Sequence, residues 1–66
     1  MSLATNLIAA REKAGLIQAE AARQIGITSV YLCQLETGKI DTPSLPMLRR
    51  IAEAYGTTVE KLMKGE

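Results

Sequence analysis

The sequence predicts an all-α fold of five short helices. Its 66 residues are 47% hydrophobic but include no Trp or Phe, so Leu, Ile, Ala, Met and Val are expected to build the core. Those residues recur every three to four positions, which is the period of an amphipathic helix. Gly15, Gly26 and Gly56 interrupt the pattern where helices are expected to end. A chain of this length makes at most one domain, and it buries only a modest fraction of its surface.

The first helix is expected from Leu3 to Ala14. Its apolar stripe consists of Leu3, Leu7, Ala10 and Ala14. Ser2 is placed to cap the start of this helix, and Gly15 to end it.

The segment from Gln18 to Gly38 contains two helical patterns separated by Gly26. The inward residues of the first are Ala21, Ala22 and Ile25; those of the second are Val30 or Tyr31, Leu32 and Leu35. Glycine adopts the positive φ that a tight bend between crossing helices often needs. Thr28 is expected to cap the second helix of the pair, and Ile27 to point inward. We interpret residues 18–38 as a helix-turn-helix formed by helices 2 and 3.

A loop is predicted from Lys39 to Pro43, followed by a fourth helix from Ser44 to Tyr55. Pro46 is tolerated in its first turn, where the backbone N–H has no intrahelical partner. The buried stripe of this helix is expected to contain Leu45, Leu48, Ile51, Ala52 and Tyr55. Gly56 ends it, and Thr57 or Thr58 caps a last short helix that carries Val59, Leu62 and Met63.

From about Leu7 to Met63 the chain resembles the phage Cro and repressor type of helix-turn-helix domain, often called the XRE family. The resemblance rests on the order and spacing of Arg11, Gly15-Leu16, Gln18-Ala19-Glu20, Ala22, Gly26, Leu32, Leu35-Glu36-x-Gly38-Lys39, Pro43-Ser44-Leu45, Ile51-Ala52 and Gly56. It implies a compact five-helix, repressor-like DNA-binding domain over residues 1–66, with the third helix in the major groove. It also implies an ion pair between Arg11 and Glu36 that ties helix 1 to helix 3; the alternative is two separate solvated charges.

Ile17 departs from the family pattern, which usually has Ser or Thr before Gln18. Glu20 still stands at the reciprocal position of a capping box. Because Ile17 has no side-chain acceptor, helix 2 should be about 1 kcal/mol less stable than a helix with a Ser cap. We therefore predict that Ile17→Ser raises the melting temperature.

The outward face of helix 3 is predicted to contact DNA bases through Ser29, Val30, Cys33 and Gln34. Gln34 can form paired hydrogen bonds with adenine, Ser29 can donate or accept, and Val30 can pack against a thymine methyl. The resemblance also places base readout near Ser29, Val30 and Gln34. Cys33 could contact a base or sugar, or be a passive small side chain. For the whole face the alternative is plain solvation.

Phosphate contacts are predicted for groups that flank helix 3, namely Gln18, Thr28, Tyr31, Thr37 and Lys39. Such contacts position a protein on DNA without specifying sequence, and a helix N-terminus favours an anion. Gln18 could instead be an ordinary exposed residue, and Tyr31 could cover the edge of the core. Asp41 stands where many relatives are more basic, which argues against further DNA contacts from the loop. Arg49 and Arg50 are interpreted as solvated charges.

The resemblance implies a homodimer on a two-fold operator, with recognition helices about 34 Å apart, because one such small module rarely binds specifically alone. Candidates for the dimer interface are Val59, Leu62 and Met63, with parts of the loop before Ser44. Val59 and Leu62 could instead close the core. We expect them to do so, leaving Met63 and its neighbours for the interface.

No enzyme activity, cofactor, metal site or small-molecule substrate is expected. The chain has no His, its lone Cys33 has no evident base, and neither a glycine-rich phosphate loop nor metal-ligand spacing occurs. A single cysteine excludes an internal disulfide and suits the cytoplasm. No apolar run approaches the roughly 20 residues that cross a bilayer, and no secretory signal pattern opens the chain.

The net charge of +1 is less basic than is usual for a nucleic-acid-binding protein, although a basic rim can exist on a domain of mixed charge. We predict a sequence-specific, double-stranded-DNA-binding transcriptional regulator of the repressor type, with activation left open. One alternative is a protein-interaction module that keeps the fold without binding DNA. Another is the DNA-binding part of a larger regulator, an antitoxin or a restriction-modification controller.

Overall fold

Five α-helices are present in the computed structural model, which describes residues 2–41 and 43–65. In chain order they are α1 (Leu3–Lys13), α2 (Gln18–Ile25), α3 (Ser29–Glu36), α4 (Leu45–Tyr55) and α5 (Val59–Lys64). No strand occurs within the described ranges, so the predicted all-α class and helix order are confirmed. Thr42, in the predicted loop, lies outside the described residues. No helix in the described part of the chain is both long and apolar enough to cross a bilayer.

Side-chain caps define the starts of four helices. Ser2, Thr28, Ser44 and Thr58 each have extended backbone, and each side chain accepts a hydrogen bond from the N–H three residues later at 3.1–3.3 Å. These oxygens satisfy donors that an α-helix leaves unpaired in its first turn. The caps predicted at Ser2 and Thr28 are confirmed, and Thr58 rather than Thr57 caps α5.

The helices enclose one hydrophobic core. Helix α1 packs against α3, α4 and α5, while α2 packs against α3 and α4. The largest fully buried side chains are Leu7, Leu32, Leu35, Ile51 and Leu62. Where α2 meets its neighbours the inward residues Ala21 and Ala22 are also buried, and their small side chains let the helix backbones approach closely.

Two residues lie differently from the predicted apolar stripes, and the structure decides between the two residues that were left open on α3. Leu45 was expected in the core but is 50% exposed, because it is the first residue of α4 and the stripe reaches the core from Leu48 onward. Ala14 is exposed at the C-cap of α1. On α3, Tyr31 packs against the core as a half-buried residue, whereas Val30 is 67% exposed.

Asn6 is an unpredicted member of the α1 packing face. It is 3% exposed, and its Nδ2 donates to the carbonyl oxygens of Leu62 (2.8 Å) and Met63 (3.4 Å). Both carbonyls belong to the last turn of α5, where intrahelical donors are absent. The amide therefore attaches α5 to α1 by polar contacts as well as by the burial of Leu62.

Candidate nucleic-acid interface

The turn between α2 and α3 is built on Gly26. This residue has φ +88° and ψ 34°, the left-handed conformation that glycine adopts without steric cost. Its N–H and that of Ile27 both donate to the carbonyl of Ala22, at 2.8 and 2.9 Å, which closes the end of α2. Thr28 then starts α3 only two residues after the turn glycine. The bend predicted at Gly26 is confirmed.

The inward face of α3 is fixed by burial. Leu32 and Leu35 are 0% and 1% exposed, and Glu36 is buried beside them. Ser29, Val30 and Cys33 lie on the outward side and are exposed, while Gln34 is half-buried. The four residues predicted to contact bases therefore share the side of α3 that faces away from the core. None of them carries a charge.

The residues predicted to contact phosphates fall into two groups at opposite ends of α3. Thr28 and Tyr31 belong to its N-terminal end. Thr37 and Lys39, both exposed, follow its C-terminal end, and Gln18 lies at that same end because it is hydrogen-bonded to Glu36. Eight helical residues separate these ends by about 12 Å. The arrangement flanks the outward face of α3 on both sides.

The side chain of Gln18 is turned toward the protein. Its Nε2 donates to Glu36 Oε1 at 2.9 Å, and the residue is half-buried. Glu20 Oε1 accepts the N–H of Ile17 at 3.3 Å, which is one half of a capping box, while Ile17 offers no side-chain acceptor in return. At the start of α2 the groups that remain for an anion are chiefly the N–H groups of its first turn.

Glu36 joins three helices at the back of the interface. Arg11 Nε donates to Glu36 Oε2 at 2.8 Å and Arg11 Nη2 to Glu36 Oε1 at 3.3 Å, so the expected ion pair is present and bidentate. Arg11 Nη1 also donates to the carbonyl of Leu16 at 2.9 Å. The hydrogen bond to Glu36 raises the pKa of Arg11, which keeps the guanidinium charged. The pair, with Gln18, holds the end of α3 against α1 and α2.

Arg50 is exposed, as expected for a solvated charge, but it also makes hydrogen bonds that were not predicted. Its Nη2 donates to the carbonyl of Ile25 at 2.6 Å and to that of Gly26 at 3.4 Å. Arg49 and Arg50 are both exposed, but of the two only Arg50 is hydrogen-bonded to the turn. Periodicity could not reveal the Arg50 contact, because a long flexible side chain on the edge of an apolar stripe can reach a neighbouring element or extend into water.

The predicted dimer contacts are only partly available at the surface. Leu62 is 1% exposed and Val59 is half-buried against the core, because α5 closes the core over α1. Leu62 closes the core, as expected, and is not at the surface of the single chain. Met63 is 59% exposed and remains a candidate.

A family model for the helix-turn-helix domain matches residues 2–63 of the chain. The chain belongs to the helix-turn-helix domain family. The structure of the P22 c2 repressor in complex with a synthetic operator aligns with this helix-turn-helix domain at a TM-score of 0.87 and 23% identity, covering 100% of this chain and 98% of that one. This likeness shows that the fold is that of a phage repressor.

Two further solved structures contain the same fold as part of a longer chain. Hydroxypropylphosphonic acid epoxidase from S. wedmorenis aligns at a TM-score of 0.85 with 30% identity, covering 92% of this chain and 32% of the epoxidase. The Fe(II) HppE complex with substrate gives a TM-score of 0.86 and 29% identity, over 94% and 35% of the respective chains. In these proteins the helix-turn-helix domain makes up about a third of the chain.

One curated relative is the isomerizing glutamine–fructose-6-phosphate aminotransferase of Methanocaldococcus jannaschii. It is 28% identical over 53 residues, which is 80% of this chain. The chain spans only 5% of the length of that relative.

Proposed function

We propose that this helix-turn-helix domain is a sequence-specific double-stranded-DNA-binding transcriptional regulator of the repressor type. The observation that carries the proposal is the outward face of α3, where exposed Ser29, Val30 and Cys33 lie beside half-buried Gln34. A helix fits the major groove of B-DNA, and these side chains can hydrogen-bond or make apolar contacts with base edges. The P22 c2 repressor, which shares the fold, is described in complex with an operator.

Each outward residue is assigned a role by its chemistry. Gln34 forms paired hydrogen bonds with the N6 and N7 atoms of an adenine, and Val30 packs against a thymine methyl. Ser29 donates a hydrogen bond to a base or accepts one from it. Cys33 fills the space between the other residues of this face. None of these side chains is the Arg or Lys that commonly binds guanine.

Phosphates bind at the two ends of α3 in this proposal. Thr28 and Tyr31 contact one phosphate group, since the Thr28 hydroxyl accepts the N–H of Tyr31 and keeps its own hydrogen for donation. Thr37, Lys39 and the N-terminal turn of α2 contact another. Because Gln18 Nε2 is hydrogen-bonded to Glu36, Gln18 contributes mainly its backbone N–H.

The regulator acts as a homodimer on a palindromic operator, with exposed Met63 among the contacts between the two copies. Two recognition helices then enter successive major grooves about 34 Å apart. Two half-sites also supply the affinity that a single small module lacks.

Selection of bound duplexes from a random library tests the function. We expect a palindromic site to be enriched, and Gln34→Ala to relax discrimination at one symmetric pair of positions by about 1–3 kcal/mol. Gln24→Ala is the matched control, because Gln24 is an exposed amide on α2 away from the outward face of α3. No enrichment at low salt, or equal effects of the two substitutions, would contradict the proposal.

A protein-interaction module is the second candidate. It is favoured by the net charge of +1 and by the presence of this fold in an epoxidase chain. Salt dependence separates the candidates, because affinity for DNA falls steeply with salt when several phosphates are contacted. An apolar protein contact would change little over the same range.

A further inference from the structure

Arg50 connects α4 to the turn of the helix-turn-helix. Its guanidinium reaches the end of α2, where Nη2 lies 2.6 Å from the carbonyl oxygen of Ile25 and 3.4 Å from that of Gly26. Ile25 is the last residue of α2 and Gly26 its C-cap. Carbonyls at this position have no intrahelical donor, and a cation there interacts favourably with the helix dipole. Arg50, which belongs to α4, thus supplies a hydrogen-bond donor to the free carbonyls at the end of α2.

The Arg50 guanidinium packs directly over the turn glycine. A Cβ atom at position 26 would push this flexible group aside, so Gly26 is required mainly by its positive φ. At the other end, Arg50 is followed by Ile51 and Ala52, which are 0% and 4% exposed in the core. The guanidinium therefore links the turn to a rigid part of the molecule.

The two base-facing residues in the first turn of α3 do little to hold that turn in place. Ser29 and Val30 are exposed and contribute little packing, and Leu32 is the first fully buried residue of the helix. Tyr31 and Ile27 are half-buried against the core. The preceding bend, to which Arg50 donates, is a further restraint on the orientation of this turn.

We infer that Arg50 is a positioning residue for base recognition, which fixes the angle at which the start of α3 presents Ser29 and Val30. The inference rests on the proposed function, because the effect assigned to Arg50 is on how well the domain discriminates between DNA sequences. Arg50 itself contacts no base in this arrangement. It acts through the carbonyls of Ile25 and Gly26.

The test compares Arg50→Met with Arg49→Met. Each substitution removes one positive charge and keeps a long apolar side chain, but only Arg50 donates to the turn. Affinity is measured for the selected operator and for an unrelated duplex, at several salt concentrations and well below the unfolding temperature. Arg50→Lys is a third variant, which restores the charge without the planar group of donors.

We expect both Met variants to lose the same affinity for the unrelated duplex. Arg50→Met should lose about tenfold more affinity for the operator than Arg49→Met, because the start of α3 is no longer held at the angle that presents Ser29 and Val30. The loss of discrimination should fall at the base pairs read by Ser29 and Val30 and spare the pair read by Gln34. Arg50→Lys should recover part of the lost operator affinity and discrimination.

Amide hydrogen exchange provides a readout that does not involve DNA. The N–H groups of Tyr31 and Leu32 are bonded to Thr28, at 3.1 Å to its Oγ1 and 3.1 Å to its carbonyl. They should exchange several-fold faster in Arg50→Met than in Arg49→Met, while amides of α1 change equally in both. A purely global loss of stability would accelerate all protected amides together.

The outcomes separate the two proposals. An operator preference that is the same in both Met variants would overturn the role of Arg50 and leave DNA binding intact. If the wild type selects no operator, the proposed function fails, and equal exchange at Tyr31 and Leu32 in the two variants would overturn the positioning of α3 as well. Uniform weakening at every base pair would also contradict the inference.

Discussion

Tyr55 is the residue whose chemistry is most changed by the fold. It is 7% exposed, and its hydroxyl has no hydrogen-bond partner among the described residues. Burial is the main cause that raises its pKa to about 12; the Glu36 carboxylate contributes to the rise, and the Arg11 guanidinium partly opposes it. The neutral phenol is therefore the form that the folded protein prefers.

Tyr55→Phe should remove a source of alkaline instability. A pKa raised above the ordinary 10 stabilises the fold fully below pH 10, and this contribution is lost as the pH rises through about 12. A rise in the Tyr55 pKa from 10 to about 12 corresponds to about 3 kcal/mol of folding free energy. We expect the Phe variant to match or exceed the wild type at pH 7, because the unpartnered hydroxyl is removed, and to lose less free energy of unfolding between pH 10 and 12.

Denaturant unfolding of both proteins at pH 7 to 12 measures this difference. The two proteins differ only at position 55, so the comparison isolates Tyr55. Parallel curves for the two proteins would show that Tyr55 ionises as easily in the folded state as in the unfolded chain.

Individual residues were predictable where a periodic or local rule applied. Gly26 and Thr28 follow from turn and cap chemistry, and the Arg11–Glu36 pair followed from the resemblance. Asn6 and Arg50 could not be assigned, because each makes hydrogen bonds to carbonyls of a helix distant in sequence. Such contacts depend on how distant helices pack, and they produce no repeating pattern of residues in the sequence.

At the scale of the elements, α2 is the helix with the weakest start. Ile17 has the extended backbone of an N-cap but makes no side-chain hydrogen bond, whereas the other four helices have Ser or Thr caps. Ile17 is 63% exposed, so its side chain contributes little burial. The start of α2 also lies at the proposed phosphate contact.

Ile17→Ser should stabilise the protein by about 1 kcal/mol, because a serine oxygen accepts the N–H of Glu20 and completes the capping box. For a domain of this size that gain raises the melting temperature by about 4–8 °C. Ile17→Ala is the control, since it removes the same apolar surface without providing an acceptor. Thermal unfolding in which Ser and Ala behave alike would refute the cap assignment.

The bounds of the helices were predicted closely because glycines and caps mark them. The predicted ends of α1 and α4 differ from the structure by one residue or less. The predicted stripe of α4 was wrong at Leu45, because periodicity gives the face of a residue but not whether a neighbour covers that turn. The burial of a residue at a helix end depends on which neighbouring helices cover that turn.

At the scale of the molecule, Glu36 is the point at which α1, α2 and α3 are joined. The carboxylate is buried and accepts from Arg11 and Gln18. A buried ion pair of this kind need not add net stability, but removing one partner strands the other charge.

Arg11→Met should destabilise the protein by about 3–5 kcal/mol, because Glu36 would stay buried with only Gln18 as a donor. The double variant Arg11→Met with Glu36→Leu should recover most of the loss. Urea unfolding of the single and double variants measures both effects. If the double variant is as unstable as Arg11→Met, the cost comes from lost packing of Arg11 rather than from a stranded charge.

Under the proposed function, the exposure of the outward face of α3 bears on how DNA specificity changes. Ser29, Val30 and Cys33 are exposed, so the fold does not depend on which side chains occupy these positions. Exchanging them should alter the free energy of unfolding by no more than about 0.5 kcal/mol, as for other surface sites. Under the proposed function, a few substitutions at these positions change the target sequence while the fold is kept. A laboratory library limited to these positions therefore samples new specificities in variants that remain folded.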